Sequence, residues 1–343
     1  MLVFLVNSRP FHIVLDYIVR PSPFIFSFKN WVSKKMYRPA LTFFAGISVG
    51  SVVTISLSKY IENRNTKQTT TLESTVQKST NNSIETVNGS LRFGIPTSIS
   101  DTLVRDAYIL NYNRSLRNPT WVAEHLTADS LNVIDKSIKP DRKLSHFKED
   151  DMIPKMFRAK LADYVGSGLD RGHLAPAADV QGSQKALDET FYLSNMSPQV
   201  PIGFNRGYWA YLENFVRTLT TEFQDVFVIS GPLYLPKKET DGRYYVKYQM
   251  IGEPPNVAVP THFFKVILTQ RNNNYYKAAF VLPNQSIDSQ TPLTSFMVPL
   301  DSIESSAGIE FFPDIKQHQV LNLCNIVPCQ LKNFKNQVSK SLE

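Results

Sequence analysis

Cysteine is almost absent: the 343 residues contain two, Cys324 and Cys329. That excludes a disulfide framework, and it excludes a cysteine-based zinc set, which needs four ligands at compatible spacing. The pair reads as two ordinary thiols, with a bridge between them as the alternative. Acid is almost absent from the first 61 residues, where Asp16 stands against Arg9, Arg20, Lys29, Lys34, Lys35, Arg38 and Lys59. Residues 62–89 carry three charges of each sign, and from residue 90 onward 27 Lys and Arg face 26 Asp and Glu. The formal charge of +7 therefore belongs to the leader rather than to the body of the protein. Any polyanionic partner must be met by a local basic groove, because bulk charge supplies none. Large apolar side chains are scarce in residues 62–90 (ENRNTKQTTTLESTVQKSTNNSIETVNGS). Such a segment cannot bury enough surface to offset its ordering entropy, which predicts a flexible tether. No internal repeat is visible.

What is present divides the chain into three parts. Residues 1–61 are basic, poor in acid and rich in Phe, Ile, Val and Ser, the features of a mitochondrial targeting leader rather than a secretory signal. Within them, Ala40–Ser58 is a run of nineteen uncharged residues flanked by Lys34, Lys35 and Arg38 on one side and Lys59 on the other. About 20 residues suffice to cross a bilayer as a helix, so we expect a membrane anchor at about 40–58. A presequence, kept or removed, is the alternative. Residues 62–90 form the linker and residues 91–343 the globular domain.

The globular part shows short apolar runs separated by Pro, Gly and Asn. Trp121–Leu126 alternates like a strand, and Val226–Ile229 reads as a buried strand stopped by Ser230-Gly-Pro232. Val257–Thr269 and Lys277–Leu282 predict further strands, Gly203–Glu222 has helical spacing, and a short helix is expected near Ser302–Ser306. These elements do not alternate regularly, which points to a mixed α+β domain rather than an α/β repeat.

The most informative stretch is Asp170-Arg-Gly-His-Leu-Ala-Pro-Ala-Ala-Asp179. In an extended segment Arg171 and His173, two apart, share one face. Phosphodiester chemistry needs a base for water and a cation near the phosphate oxygens, roles suited to His and to Arg. Around it stand Asp141-Arg-Lys-Leu-Ser-His-Phe147, Thr190-Phe-Tyr-Leu-Ser-Asn-Met-Ser-Pro-Gln199, Asn205-Arg-Gly-Tyr-Trp-Ala-Tyr-Leu-Glu213, Gly231-Pro-Leu-Tyr234 and Val259-Pro-Thr-His-Phe-Phe264. This ordered set resembles the DNA/RNA non-specific endonucleases, whose core is the ββα-metal (His-Me) finger. The likeness runs over about residues 92–335 and is greatest to the mitochondrial endonuclease G branch and its fungal members.

The resemblance implies an α+β fold with a mixed, largely antiparallel sheet, and an endonuclease that cuts DNA and RNA. It implies His173 as general base, Asn205 as the direct protein ligand of one Mg²⁺ (Mn²⁺ being the alternative), and Glu213 as holder of metal-bound water. Arg171 and Arg142 would contact the substrate phosphate, and Asn195 would support the histidine and its surroundings. It also implies a homodimer. With the leader, it suggests the mitochondrial inner membrane, with the catalytic domain in the intermembrane space. The opposing reading is a catalytically silent, membrane-anchored nucleic-acid-binding protein on the same fold, disfavoured because His173, Asn205 and Glu213 occur together. Elsewhere the bland assignments hold the field. His262 reads as a buried strand histidine, His125 and His146 as structural, Trp209 as a core residue, Asp170 as an orienting acid and Lys237-Lys238 as a solvated loop that could border a substrate groove.

Overall fold

The computed structural model describes residues 96–132, 139–315 and 319–331. The leader, the expected anchor at about 40–58 and the linker lie outside them. The described residues belong to a compact unit that begins at Ile95. Among them, no helix is long and apolar enough to cross a membrane.

Short runs of alternating or β-branched residues make the strands. In chain order these are β1 (Ser100–Val104), β2 (Tyr108–Asn113), β3 (Asn118–Leu126), β4 (Asp170–His173), β5 (Met196–Gln199), β6 (Val226–Leu233), β7 (Lys237–Lys238) and β8 (Tyr244–Tyr245). They are followed by β9 (Met250–Ile251), β10 (Val257–Ala258), β11 (His262–Arg271), β12 (Asn274–Pro283) and β13 (Val320–Asn322). The helices are α1 (Ala128–Leu131), α2 (Gln184–Glu189), α3 (Ala210–Leu219) and α4 (Leu300–Ala307). Seven strands form one sheet in the order β1-β2-β3-β6-β11-β12-β13, antiparallel except where β13 joins β12. The fold is α+β with a mixed, largely antiparallel sheet.

The interior strand β11 is covered on both faces, which is why its sequence reads as a continuous apolar run. Phe263 and Ile267 pack with Leu212, Phe215, Val216 and Leu219 of α3, and Phe264 and Val266 pack with Ile303 of α4 and Phe311. The α3 side chains recur at the spacing of one helical stripe, and burying each contributes about 1.5–3 kcal/mol. Beside this sheet, β4 and β5 pair antiparallel, with His173 opposite Met196. Together with α3 they make a ββα unit.

Tertiary packing changes several local expectations. Val226–Ile229 is not stopped at Ser230-Gly-Pro232 but continues to Leu233. A Cβ on Gly231 would come within 2.6 Å of both the Phe264 ring and the Thr120 carbonyl, so this glycine serves a close crossing rather than a turn. Val257–Thr269 divides into β10 and β11 around Pro260, which has no N–H for the ladder. The helix expected over Gly203–Glu222 is regular only from Ala210 to Leu219. Before it, Pro201–Trp209 is a wide turn that leaves helical dihedrals at Ile202, Gly203, Arg206 and Gly207. Gly203 has φ +82°, and a Cβ there would meet Ser286 Oγ at 2.1 Å. The thiols at Cys324 and Cys329 are bridged, because the turn Leu323–Asn325 brings their Cα atoms to 5.3 Å, within disulfide reach.

Gly231→Ala overpacks the β3–β6–β11 crossing, and the expected cost is about 1–3 kcal/mol. A thermal melt followed by circular dichroism should show a fall of roughly 2–10 °C for a domain of this size, and an unchanged midpoint would mean that the crossing yields without strain.

Candidate active site

A cleft of about 520 Å³ opens where the ββα unit meets the turn around Arg142. Its walls bring together Arg142, Arg171, His173, Asn205 and Glu213. Arg171 and His173 reach it from the same face of β4, as the spacing predicts, while Gly172 between them faces the interior. A Cβ on Gly172 would lie 2.1 Å from Gln199 Oε1, so the glycine is required by the buried glutamine of the paired strand.

His173 lies between two aromatic rings, with centroids 5.7 Å from Phe147 and 4.9 Å from Phe191. Its Nε2 is enclosed and has no hydrogen-bond partner. Burial, reinforced by the positive charge of Arg142, pushes the imidazole down to about 3. The ring is therefore unprotonated throughout the neutral range and available as a base. The same two phenylalanines seat the arginines: Arg171 lies 4.6 Å over Phe147 and Arg142 lies 5.5 Å over Phe191. Gln184 of α2 ties down the Arg142 turn through the Asp141 backbone at 2.8 Å. Phe147 and Phe191 thus hold the charged residues of the cleft, and nothing in their local sequence separates them from core phenylalanines.

Asn205 is placed by the wide turn before α3 and by Asp170 at the start of β4. Its Nδ2 donates to Asp170 Oδ2 at 2.7 Å. Because a carboxylate only accepts, this bond settles the amide orientation and leaves Oδ1 as the free oxygen. Arg206 donates to both Asp170 oxygens, at 2.8 and 2.6 Å. Burial raises the Asp170 carboxyl, but the hydrogen bonds from Arg206 and Asn205 outweigh it and hold the group below its ordinary value. Arg206 also compensates a charge that would otherwise repel phosphate. Sequence reasoning singled out the acid but missed its arginine partner.

Glu213, on the first turn of α3, is pushed up to about 7, chiefly by burial and further by Asp179, against the opposing charges of Lys265, Arg217 and Arg142. Lys265 is buried on β11 beneath this helix, donates to Ser230 Oγ and lies 4.7 Å over the Trp209 ring. Arg217, one turn beyond Glu213, donates to Asp179 at 2.6 Å.

Asn195 lies behind the cleft rather than in its wall. It is fully buried, its Oδ1 accepts from Ala175 N, and its Nδ2 donates to the carbonyls of Ala175 and Thr190 at 3.0 and 2.9 Å. It clamps the chain leaving His173. Trp209 is a core residue at 1% exposure. His262 is half-buried beside Thr261 Oγ1, and His125 stacks on Phe227 beside Asp225. None of these residues lines the cleft.

A family model described as DNA/RNA non-specific endonuclease matches residues 86–318. The chain belongs to that family. This endonuclease is 52% identical over 244 residues to Nuclease C1 of Cunninghamella echinulata var. echinulata, which covers 71% of the chain and 95% of that protein. It is 48% identical to the mitochondrial nuclease of Saccharomyces cerevisiae (74% of the chain, 78% of that protein) and 44% identical to human endonuclease G, mitochondrial (65% and 73%). Among solved structures it resembles a chain of the EndoG/EndoGI complex, with a TM-score of 0.62 and 45% identity, covering 68% of this chain and 94% of that one. The protein is an enzyme of nucleic-acid hydrolysis, and the ββα unit is its fold signature.

Replacing Arg142 by Gln removes the cation beside His173 and therefore favours the protonated ring. The His173 titration midpoint should move up from about 3 towards the ordinary value of 6.5, as read from histidine ring resonances across a pH series. A midpoint that does not move would remove Arg142 from the electrostatics of the base.

Proposed function

We propose that this endonuclease hydrolyses phosphodiester bonds of both DNA and RNA, with His173 taking a proton from the attacking water. The observation that carries the reading is the convergence of an imidazole held unprotonated, two arginines and two oxygen donors on one cleft. Arg171 and Arg142 would engage the phosphate oxygens, for which a planar guanidinium is well matched. Contacts confined to phosphate, sugar edges and cation read no base pattern, in keeping with cleavage that ignores sequence.

The donor set suits a hard divalent cation, Mg²⁺ or its alternative Mn²⁺. Asn205 Oδ1 is left free by the bond from Nδ2 to Asp170, and the Glu213 carboxyl lines the same cleft. Among the described residues no group of three His, Cys, Asp or Glu could hold a metal, so the ion would keep most of its water, as magnesium does. Asn205 would bind it directly and Glu213 through water. When bound, such an ion stabilises the leaving oxygen and the charge developing on the phosphoryl group. Asp170 would act by fixing the Asn205 amide, and Asn195 by fixing the backbone beyond His173.

The mitochondrion is supported by relatives named mitochondrial in Saccharomyces cerevisiae, Schizosaccharomyces pombe and human. With the basic leader, we place the protein at the inner membrane, anchored at about 40–58, with the linker 62–90 and a catalytic domain from residue 91 in the intermembrane space. A homodimer belongs to the same proposal.

The test is cleavage of plasmid DNA and of RNA by the purified protein, with Mg²⁺ or with EDTA, beside His173→Ala. Both polymers should be cut only with the metal. The variant should lose about 10²- to 10⁴-fold in rate, the span typical of a lost general base. Salt-dependent DNA binding without cleavage under any metal would overturn the reading in favour of a silent binding protein. Asp170→Asn frees the Asn205 amide to turn, and calorimetric titration should show weaker Mn²⁺ binding. Unchanged affinity would detach Asp170 from the metal site.

A further inference from the structure

Three arginines line the cleft: Arg142, Arg171 and Arg206. They are spread along β4 rather than gathered at His173. Arg142 stands at the histidine end, where its charge helps to hold the imidazole unprotonated. Arg171 is on the strand itself, one residue from Asp170. Arg206 stands at the other end, paired with Asp170 at the head of the strand. At about 3.3 Å per residue, the head of β4 lies ~10 Å from His173 along the strand. In keeping with that separation, Arg206 is absent from the charges that act on His173 and present among those that act on Asp170.

The pairing with Asp170 uses only part of the Arg206 guanidinium. Nε donates to Oδ2 at 2.8 Å and Nη2 to Oδ1 at 2.6 Å, so the fork meets the carboxylate along one edge. In this geometry both N–H groups of Nη1 are directed away from the acid. Nη1 has no hydrogen-bond partner among the described residues. The Arg206 side chain is 68% exposed, against 18% for Asp170. Asn205, its neighbour in the chain, donates to the same Oδ2 at 2.7 Å, so the turn that carries Arg206 is fixed at the cleft. Neutralising Asp170 needs only a positive charge, which a lysine would supply. A guanidinium brings a second edge of donors, already oriented by the first.

We propose that Arg206 binds a phosphate adjacent to the scissile one through Nη1, while its other edge stays on Asp170. This rests on the reading of the cleft under which Arg142 and Arg171 engage the scissile phosphate. A polymer laid along the three arginines brings its next phosphate to the head of β4, where Arg206 waits. The cleft would then hold two consecutive phosphates and prefer a chain to an isolated phosphodiester. It would still ignore sequence, since phosphate contacts carry no base pattern.

The test uses the full-length protein and short thymidine oligomers in which one phosphodiester stands in an otherwise uncharged methylphosphonate backbone. Two further oligomers carry a second phosphate directly before or directly after it. With Mg²⁺, one of these second phosphates should raise kcat/KM at the shared linkage about tenfold for the unmodified protein, as a charge-assisted hydrogen bond does. Arg206→Gln should abolish that gain. The variant also leaves Asp170 uncompensated, but this cost falls on all three oligomers alike and cancels in the ratio. In EDTA, anisotropy of a fluorescent single-stranded oligonucleotide should show the dependence of log affinity on log salt flattened by about 0.7 in the variant, one phosphate being no longer neutralised. If the variant keeps the gain and the salt slope, the proposal falls, while cleavage by the unmodified protein keeps the nuclease reading. A loss equal on all three oligomers, with the slope unchanged, would make Arg206 a support of Asp170 and Asn205 alone and would also overturn it. Failure of the unmodified protein to cut any polymer under any divalent cation overturns the cleft reading instead, and the salt slope in EDTA still decides the phosphate contact.

Discussion

The carboxylate of Asp170 joins two pieces of chain that the fold brings together at the cleft. It sits at the head of β4, one residue before Arg171 and three before His173, and it binds the side chains of Asn205 and Arg206 on the turn before α3. Without an acceptor at this point the Asn205 amide would be free to rotate, and the irregular turn Pro201–Trp209 would lose its side-chain bonds to the strand. Arg206 supplies the compensating charge, so that an acid can stand at a phosphate-binding cleft. One bidentate ion pair therefore sets both the shape and the sign of the site.

Behind that ion pair lies an arrangement of buried charge that pulls two titrating groups apart. Burial with a neighbouring cation drives His173 down to about 3, while burial with a neighbouring acid drives Glu213 up to about 7. Such separation lets one group remain a free base while the other stays responsive to a cation or to water. The cost of burying Glu213, Asp179 and Glu124 together is offset by Lys265 and Arg217, which approach from β11 and from α3 itself. Lys265 is fully buried, and its place opposite Ser230 on β6 makes the middle of the sheet part of the electrostatic support of the site.

Legibility in the sequence followed the range of each interaction. The pairing of Arg171 and His173 on one face needs only the two-residue period of a strand, and the core stripe of α3 needs only helical spacing. Both were readable. The ends of the elements were not. Gly231 resembled a stop signal because its reason for being glycine, the Phe264 ring and the Thr120 carbonyl, comes from two other strands. Gly203 and Gly207 broke a helix that the apolar spacing favoured, because the turn packs closely on Ser286 and is bonded to Ile287 and Asp170 across the fold. Cys324 and Cys329 read as two ordinary thiols, yet they are bridged, since a separation of five residues permits a bridge and only the intervening turn decides it.

Local periodicity determined the class of fold, and an ordered set of motifs, through the resemblance it carries, pointed to the family and to His173, Asn205, Glu213, Arg171 and Arg142, which meet at the cleft. They could do so because strand and helix periods are local and because the motifs keep their order along the chain. The tertiary structure decided the rest. It placed Phe147 and Phe191 beneath the charged groups, turned the Asn205 amide, and set Asn195 behind the histidine rather than beside substrate. Each of these depends on a partner dozens of residues away, and no pattern within a single element encodes the distance between two segments that meet only when the chain has folded.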